Sequence, residues 1–267
     1  MKVLGLTHRE WMGAIPFISV HLIALFLIFY TGLSFVGLFW CLGSYFVRMM
    51  FLTLGFHRYF SHRSYKTSRW FQTLLAIMGS TTIQRGVLNW TYNHRDHHRY
   101  SDTNLDPHSP VAHGFWFSHM GWVLSDQYTQ TLQHKVGDLS KYWELRVLDK
   151  VWLLVSILYF VALYFIGGLV ALTWGGFVAT VLLWHFTFMV NSVCHTIGAR
   201  RFQTNDNSRN VWWLAIPTFG ESYQNCHHYF QYSANQGMKW SEIDLGFYIL
   251  KIWGAFGLVW DLKEYRA

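Results

Sequence analysis

VWLLVSILYFVALYFIGGLVALTWGGFVATVLLWHFTFMVNSVCHTIGA, residues 151–199, contains no Asp, Glu, Lys or Arg. A helix crosses a bilayer in about 20 residues. This run is therefore long enough for two crossings, with a turn in GGLVALTWGG, Gly167 to Gly176. A second run lies between Glu10 and Arg58, where Arg48 is the only formal charge. It too has room for two crossings, turning at TGLS, Thr31 to Ser34. A soluble protein with buried core helices does not leave two runs this long without charge. The expectation is an all-α integral membrane protein with four transmembrane helices in two hairpins, about 12–54 and 151–195.

The composition agrees. Of 267 residues, 52% are hydrophobic, 19% aromatic and 13% charged, against about 25% charged in an average soluble domain. The N-terminal MKVLGLTHREWMGA has no cleavage-site pattern, and the apolar run after it is too long for the core of a signal peptide. It reads as a retained membrane helix. No repeat, low-complexity tract or linker interrupts the chain, so residues 1–267 read as a single domain. Cys41, Cys194 and Cys226 form no CxxC pair and read as reduced, buried thiols.

The net charge is +7, and its placement sets the orientation. Both hairpin turns are uncharged. The tail carries Lys2 and Arg9, residues 57–150 carry eleven Lys and Arg, and the last segment begins with Arg200 and Arg201. All three polar parts are expected on the cytoplasmic side, as one cap from about 55–150 and 196–267. Arg48 is expected to snorkel to that side. The basic balance faces a membrane surface, and no nucleic-acid module is visible. Ser68–Gly86 and Leu245–Leu262 read as helices lying along the interface, the second broken by Lys251.

Histidine is the unusual residue, with 15 His against 14 Asp plus Glu. His57 and His62 stand in HRYFSH, just past the second span. His94, His97 and His98 stand in HRDHH, His195 ends the fourth span, and His227 and His228 sit in GESYQNCHHYF. All eight fall on one side of the membrane. Positions i, i+3 and i+4 share a helix face, so His94, His97 and His98 point at one site. His57 and His62 are about 140° apart on an α-helix and need a kink or a helix end to meet. Neutral imidazole suits iron, zinc and copper, and eight exceed what one tetrahedral zinc takes. Two metal ions are the natural count. Asp96, Asp102 and Asp106 are candidate partners for the outer imidazole nitrogens. His108, His113 and His119 read as supporting the cluster or as structural. His8, His21, His134 and His185 read as packing or interface residues.

This order of boxes resembles the membrane-bound fatty acid desaturases, most of all the Δ9 acyl-CoA desaturases of the stearoyl type. FHRYFSHRSYK (56–66), NHRDHHRYSDTNLDPHS (93–109), GFWFSHMGWVL (114–124), NSVCHTIGAR (191–200) and GESYQNCHH (220–228) carry the likeness across most of residues 55–262.

The resemblance implies four transmembrane helices and a cytosolic helical cap holding a diiron site. Its ligands would be His57, His62, His94, His97, His98, His195, His227 and His228, with Asn191 acting through water. The implied reaction takes O2 and two electrons and places a cis double bond in an acyl chain, for example at Δ9 of a C16–C18 acyl-CoA or acyl-lipid. Trp90 and Gln84 match the family pattern beside the acyl tunnel. One position departs. The branch usually has a ninth histidine where Gln224 stands, although front-end desaturases also carry Gln there. Gln224 is therefore kept as a candidate ligand or holder of water.

No HPGG haem motif occurs, so electrons are expected from a separate carrier, cytochrome b5, ferredoxin or similar, with its reductase. The short N-terminus points to a bacterial inner membrane, with the endoplasmic reticulum as the other option. A hydroxylase on the same diiron scaffold is the alternative reading. A membrane metal transporter is a remote one, since only His21 and His185 are ionisable deep in the spans.

Overall fold

The computed structural model describes residues 8–125 and 133–265. Lys2 and the side chains of His8 and Arg9 lie outside the described residues. Helix α1 (His8–Thr31) and helix α2 (Phe35–Phe51) form the first hairpin. Gly32 turns the chain at φ 69°, and the Ser34 hydroxyl caps α2 by accepting from the Gly37 amide. The turn falls at TGLS as expected. Among the described residues, three helical stretches are long and apolar enough to cross a membrane: Ala14–Thr31, Phe35–Ser61 and Trp143–His195.

The third stretch is itself a hairpin. Helix α5 (Trp143–Ala171) reverses at Gly167 and Gly168, where Gly168 takes φ 64°. The chain returns through a π-helical segment, Leu172–Val178, into helix α6 (Ala179–Ser192). Phe160 and Phe177 then face each other across it, ring centroids 5.0 Å apart. The first two glycines of the expected GGLVALTWGG turn make the reversal. The rest of it is already helical.

Helix α2 runs on as a π-helical segment, Leu52–Ser61. The His62 amide donates to the His57 carbonyl at 3.2 Å, five residues back. A turn closed at i+5 brings onto one face two residues that an α-helix would splay. The His57 and His62 rings sit 4.7 Å apart. Helix α3 (Arg69–Ser80), capped by Ser68, packs against this segment and α5. It is shorter than the Ser68–Gly86 stretch read from sequence. Thr81–Gly86 leave the helix, with Ile83 and Arg85 at positive φ.

Helix α4 (Val87–Tyr100) carries the second histidine box, and the short helix α7 (Gln224–Tyr229) carries the last. Helix α8 (Leu245–Ala255) ends before Gly257, at φ 70°, with Lys251 on its exposed face. Lys251 does not break it. The expected continuation to Leu262 is instead strand β2 (Val259–Trp260), paired antiparallel with β1 (Lys66–Thr67). The fold is thus helical with one two-residue strand pair among the described residues. The three cysteines are free and buried.

Arg48 does not snorkel out to solvent as expected. It is fully buried, donating to Thr180 Oγ1 at 2.8 Å and the Thr81 carbonyl at 2.5 Å. Arg58 is equally buried. Its guanidinium donates to Glu221, to both oxygens of Asp244, and to the Phe219 and Ala234 carbonyls, all within 3.0 Å. Replacing Arg58 by Met leaves two buried carboxylates without a counter-charge, a loss of about 3–5 kcal/mol. The expected result is a clearly lower thermal midpoint for the variant in detergent. A midpoint equal to that of the parent protein would contradict it.

Candidate metal centre

The eight box histidines converge. His57, His62, His94, His98 and His227 bring one ring nitrogen each within 4.8 Å of one another, and His97, His195 and His228 do the same beside them. The π turn aims His57 and His62. Successive turns of α4 aim His94 and His98, whose Nε2 atoms are 3.0 Å apart. Helix α7 sends His227 to the first group and His228 to the second. His227 Nε2 is 3.0 Å from both His57 Nε2 and His98 Nε2, and His62 Nε2 is 2.7 Å from His94 Nε2. Two imidazoles about 2.0–2.1 Å from one metal ion leave their nitrogens roughly 3 Å apart.

Proton placement tests whether these residues suit a metal. His97 Nδ1 lies 2.9 Å from Asp106, His228 Nδ1 2.5 Å from Asp206, His195 Nδ1 3.0 Å from Asp102 and His57 Nδ1 2.5 Å from Glu221. An ionised carboxylate only accepts, so each Nδ1 carries the hydrogen, and in the neutral ring Nε2 keeps a lone pair. His97 Nε2 and His228 Nε2 are nonetheless 3.4 Å apart. As neutral imidazoles, neither donates to the other. His228 Nε2 has the Gln224 amide nitrogen at 3.1 Å, while among the described residues His195 Nε2 and Gln224 Oε1 are buried without a hydrogen-bond partner. A cation between these atoms satisfies them together.

The electrostatics follow burial. Burial first, and then one another's charge, hold His62, His94, His98 and His227 well below the ordinary histidine value. Burial brings His228 down to about 4, although Asp206 pulls the other way. For His97 burial is outweighed by Asp106, and its value rises. Burial would raise Asp106, Asp206 and Glu221, but the adjoining histidines hold all three below the usual carboxylate range. Neutral imidazoles with fixed tautomers are the ligating form.

A family model described as fatty acid desaturase matches residues 34–259. The chain belongs to the fatty acid desaturase family. Delta-9 acyl-lipid desaturase 2 of Arabidopsis thaliana is 39% identical over 251 residues, 92% of this chain and 80% of that protein. The chloroplastic palmitoyl-monogalactosyldiacylglycerol delta-7 desaturase of the same plant is 38% identical over 267 residues, 96% and 70% of the two chains. The sn-1 stearoyl-lipid 9-desaturase of Anabaena variabilis is 34% identical over 261 residues, 95% and 94%. The protein is a desaturase, an oxidoreductase acting on fatty acyl chains.

Around this desaturase site the other candidates sort themselves. Gln224 is buried in the second group, its Nε2 3.1 Å from His228 Nε2. A half-turn of the amide exchanges its oxygen into that place. Asn191 lines a cavity of about 50 Å³ together with His57, Trp90, His94, Glu221 and Gln224. Trp90 stacks on His94, centroids 4.9 Å apart at 15°. Gln84 stands behind Trp90, accepting from its Nε1 at 3.3 Å and donating to Thr187 Oγ1 at 3.2 Å.

Asp102 and Asp106 support histidines as expected. Asp96 does not. It pairs with Lys135 at the exposed edge, because its position on α4 faces away from the boxes. Asp206 and Glu221 were missed. Between Lys150 and Ser241 they are the only acidic residues, and that scarcity was the available signal.

His108 packs on His97, centroids 4.4 Å apart. His113 stands against Phe117 instead, centroids 5.1 Å apart. His21 Nε2 contacts His185 Nε2 at 3.1 Å, and His185 Nδ1 contacts His119 at 3.0 Å. His134 is exposed.

Carboxylates that orient metal-bound histidines are worth about 10–100-fold in metal affinity. Asp206→Asn and Asp106→Asn are each expected to weaken binding by about that factor in a chelator-competition titration. Asp96→Asn is the control expected to leave it unchanged. Equal behaviour of all three variants would refute the assignment.

Proposed function

We propose that this desaturase places a cis double bond in the acyl chain of a membrane lipid, at Δ9 of a C16–C18 chain, using two iron ions and O2. The observation that carries the metal reading is the facing of His97 Nε2 and His228 Nε2, with both Nδ1 hydrogens already committed to Asp106 and Asp206. One iron would be held by His57, His62, His94, His98 and His227. The other would be held by His97, His195 and His228, with Gln224 and a water on Asn191 completing it. The relatives named for acyl-lipid, monogalactosyldiacylglycerol and stearoyl-lipid desaturation support a lipid-linked chain over a CoA thioester.

In the proposed topology, residues 1–267 form one domain with four crossings, the 143–195 hairpin supplying two. Both termini and the metal centre face the cytoplasm, for which the Lys and Arg placement is the support. Electrons come from a separate carrier of the cytochrome b5 or ferredoxin kind. For the membrane itself, the bacterial inner membrane remains the reading.

The reaction removes two hydrogens from adjacent methylenes. With O2, two electrons and two protons it yields the alkene and two waters. A methylene has no acidic hydrogen, so acid–base side chains cannot start this step, and bound iron supplies the O2 chemistry when present. The chain's own residues bind, orient and exclude water. Met49, Leu52 and Val190 give the cavity apolar walls. Trp90, fixed by Gln84 and Thr187, holds a flat face beside His94. Glu221 and the three aspartates keep the hydrogens on Nδ1 and away from the metal-facing nitrogens.

Lipid profiling of cells expressing the chain tests the proposal. New monounsaturated chains are expected from the parent protein and none from His97→Ala or His228→Ala, both of which should also lose iron by elemental analysis. Gln224→His is expected to keep iron and activity. Hydroxylated chains without new double bonds would overturn the desaturation reading, and an active His97→Ala variant would overturn the ligand set.

A further inference from the structure

The turn VWWLAIP, residues 211–217, leaves Trp212 79% exposed, with Trp213, Ile216 and nearby Ile197 exposed as well. Three large apolar side chains exposed within one seven-residue turn need an apolar environment. Their depth says which.

The Tyr45 hydroxyl, on α2, donates to the Pro217 carbonyl at 2.7 Å. Phe46 meets Phe219 at 5.8 Å and Tyr45 meets Phe186 at 5.8 Å. Phe186 and Met189 of α6 pack on the cluster that Val211 and Leu214 form with Val193 and Cys194. The turn therefore lies beside α2 and α6 at the level of Tyr45 and Phe186. From the reversal at Gly168 to Phe186 is 18 residues, at most about 27 Å because residues 172–178 are π-helical, and from Ser34 to Tyr45 is 11 residues, about 17 Å at 1.5 Å per residue. The hydrocarbon layer is about 30 Å thick. With both reversals at one face of that layer, the turn lies past its middle and inside its far edge, and tryptophan is enriched toward that edge. The next residue, Thr218, lines the catalytic cavity with Met49 of α2 and Thr187 and Val190 of α6.

We infer that the Trp212–Pro217 turn is seated in the bilayer interface as the lipid-facing lip of the catalytic cavity, and that the acyl chain of a membrane lipid crosses this lip to enter. The second half of the inference rests on the proposed lipid substrate. The seating of the turn does not.

Paramagnetic quenching tests the seating. Trp213→Cys and Ile216→Cys are labelled with an environment-sensitive fluorophore in phosphatidylcholine–phosphatidylglycerol vesicles carrying doxyl lipids. Leu158→Cys, on the exposed face of α5, is the lipid control. Trp240→Cys, at a 95% exposed position, is the aqueous control. Labels at 213 and 216 should be quenched by shallow doxyl groups and shielded from iodide. Iodide quenching like that at 240 would overturn the seating. So would shielding from both quenchers, which would mean a partner protein or a second copy covers the patch.

For entry, the Trp213→Asp/Ile216→Asp double variant should raise the apparent KM for vesicle-borne lipid at least tenfold, with kcat within twofold. Trp212→Phe/Trp213→Phe should behave like the parent protein. A fall in kcat at unchanged KM in the aspartate variant, or in the phenylalanine variant, would overturn entry across the lip. If the parent protein makes no unsaturated lipid while the quenching pattern holds, the proposed substrate fails and the seating stands.

Discussion

Arg58 is a guanidinium without access to water, and residues 219–247 are assembled around it. It sits in the π-helical segment next to His57, and its partners come from residues 219–244. Glu221 is shared: one oxygen takes Arg58 Nε, and the other lies 2.5 Å from His57 Nδ1 and takes Gln236 Nε2. Asp244 takes both terminal nitrogens of Arg58 and caps α8 through the Phe247 amide. One buried charge thus joins the end of a membrane helix, the loop before the last histidine box and the first turn of α8. A buried cation tolerates no vacancy among its partners, so this arrangement fixes where the boxes meet. Gly246 fits the same requirement, since a Cβ there would lie 3.0 Å from the guanidinium.

The second constraint is where hydrogens go. Four carboxylates from three parts of the chain hold four Nδ1 atoms, leaving the Nε2 lone pairs to point inward. Asp102 takes positive φ at the end of α4, so that one carboxylate reaches His195, the Asn207 amide and Ser109. Asp106 then serves His97 and the loop amides of Asp102 and His108. The loops around the site are shaped by this duty. Their backbone donors are consumed by carboxylates that the histidines also need.

The sequence made the spans and the boxes readable because both are local. A run without charge marks a crossing by itself, and spacings of three and four residues mark a helix face. The π turn under HRYFSH was not readable, because no local pattern separates five residues on a π turn from five on an α-helix. Only the need for His57 and His62 to meet hinted at it. Arg48 was misread because a lone charge near a span end has two outlets. Water lies along the chain, whereas the Thr81 carbonyl and Thr180 lie across it. Asp206 and Glu221 sit in the same class of contact, with partners 22 and 164 residues away.

Gln224 follows from these constraints. The first group has five imidazoles and the second three, and Gln224 lies in the second. A glutamine carbonyl is neutral, like imidazole, so the exchange alters no charge in a buried site that tolerates little. It alters donor strength, because an amide oxygen binds late first-row metals more weakly than a ring nitrogen. Gln224 and Asn191 both line the cavity. The two amides line that cavity together with His57 and His94 of the first group. Held as proposed, the metal of the second group would meet its weaker donor, Gln224, on the side of this cavity.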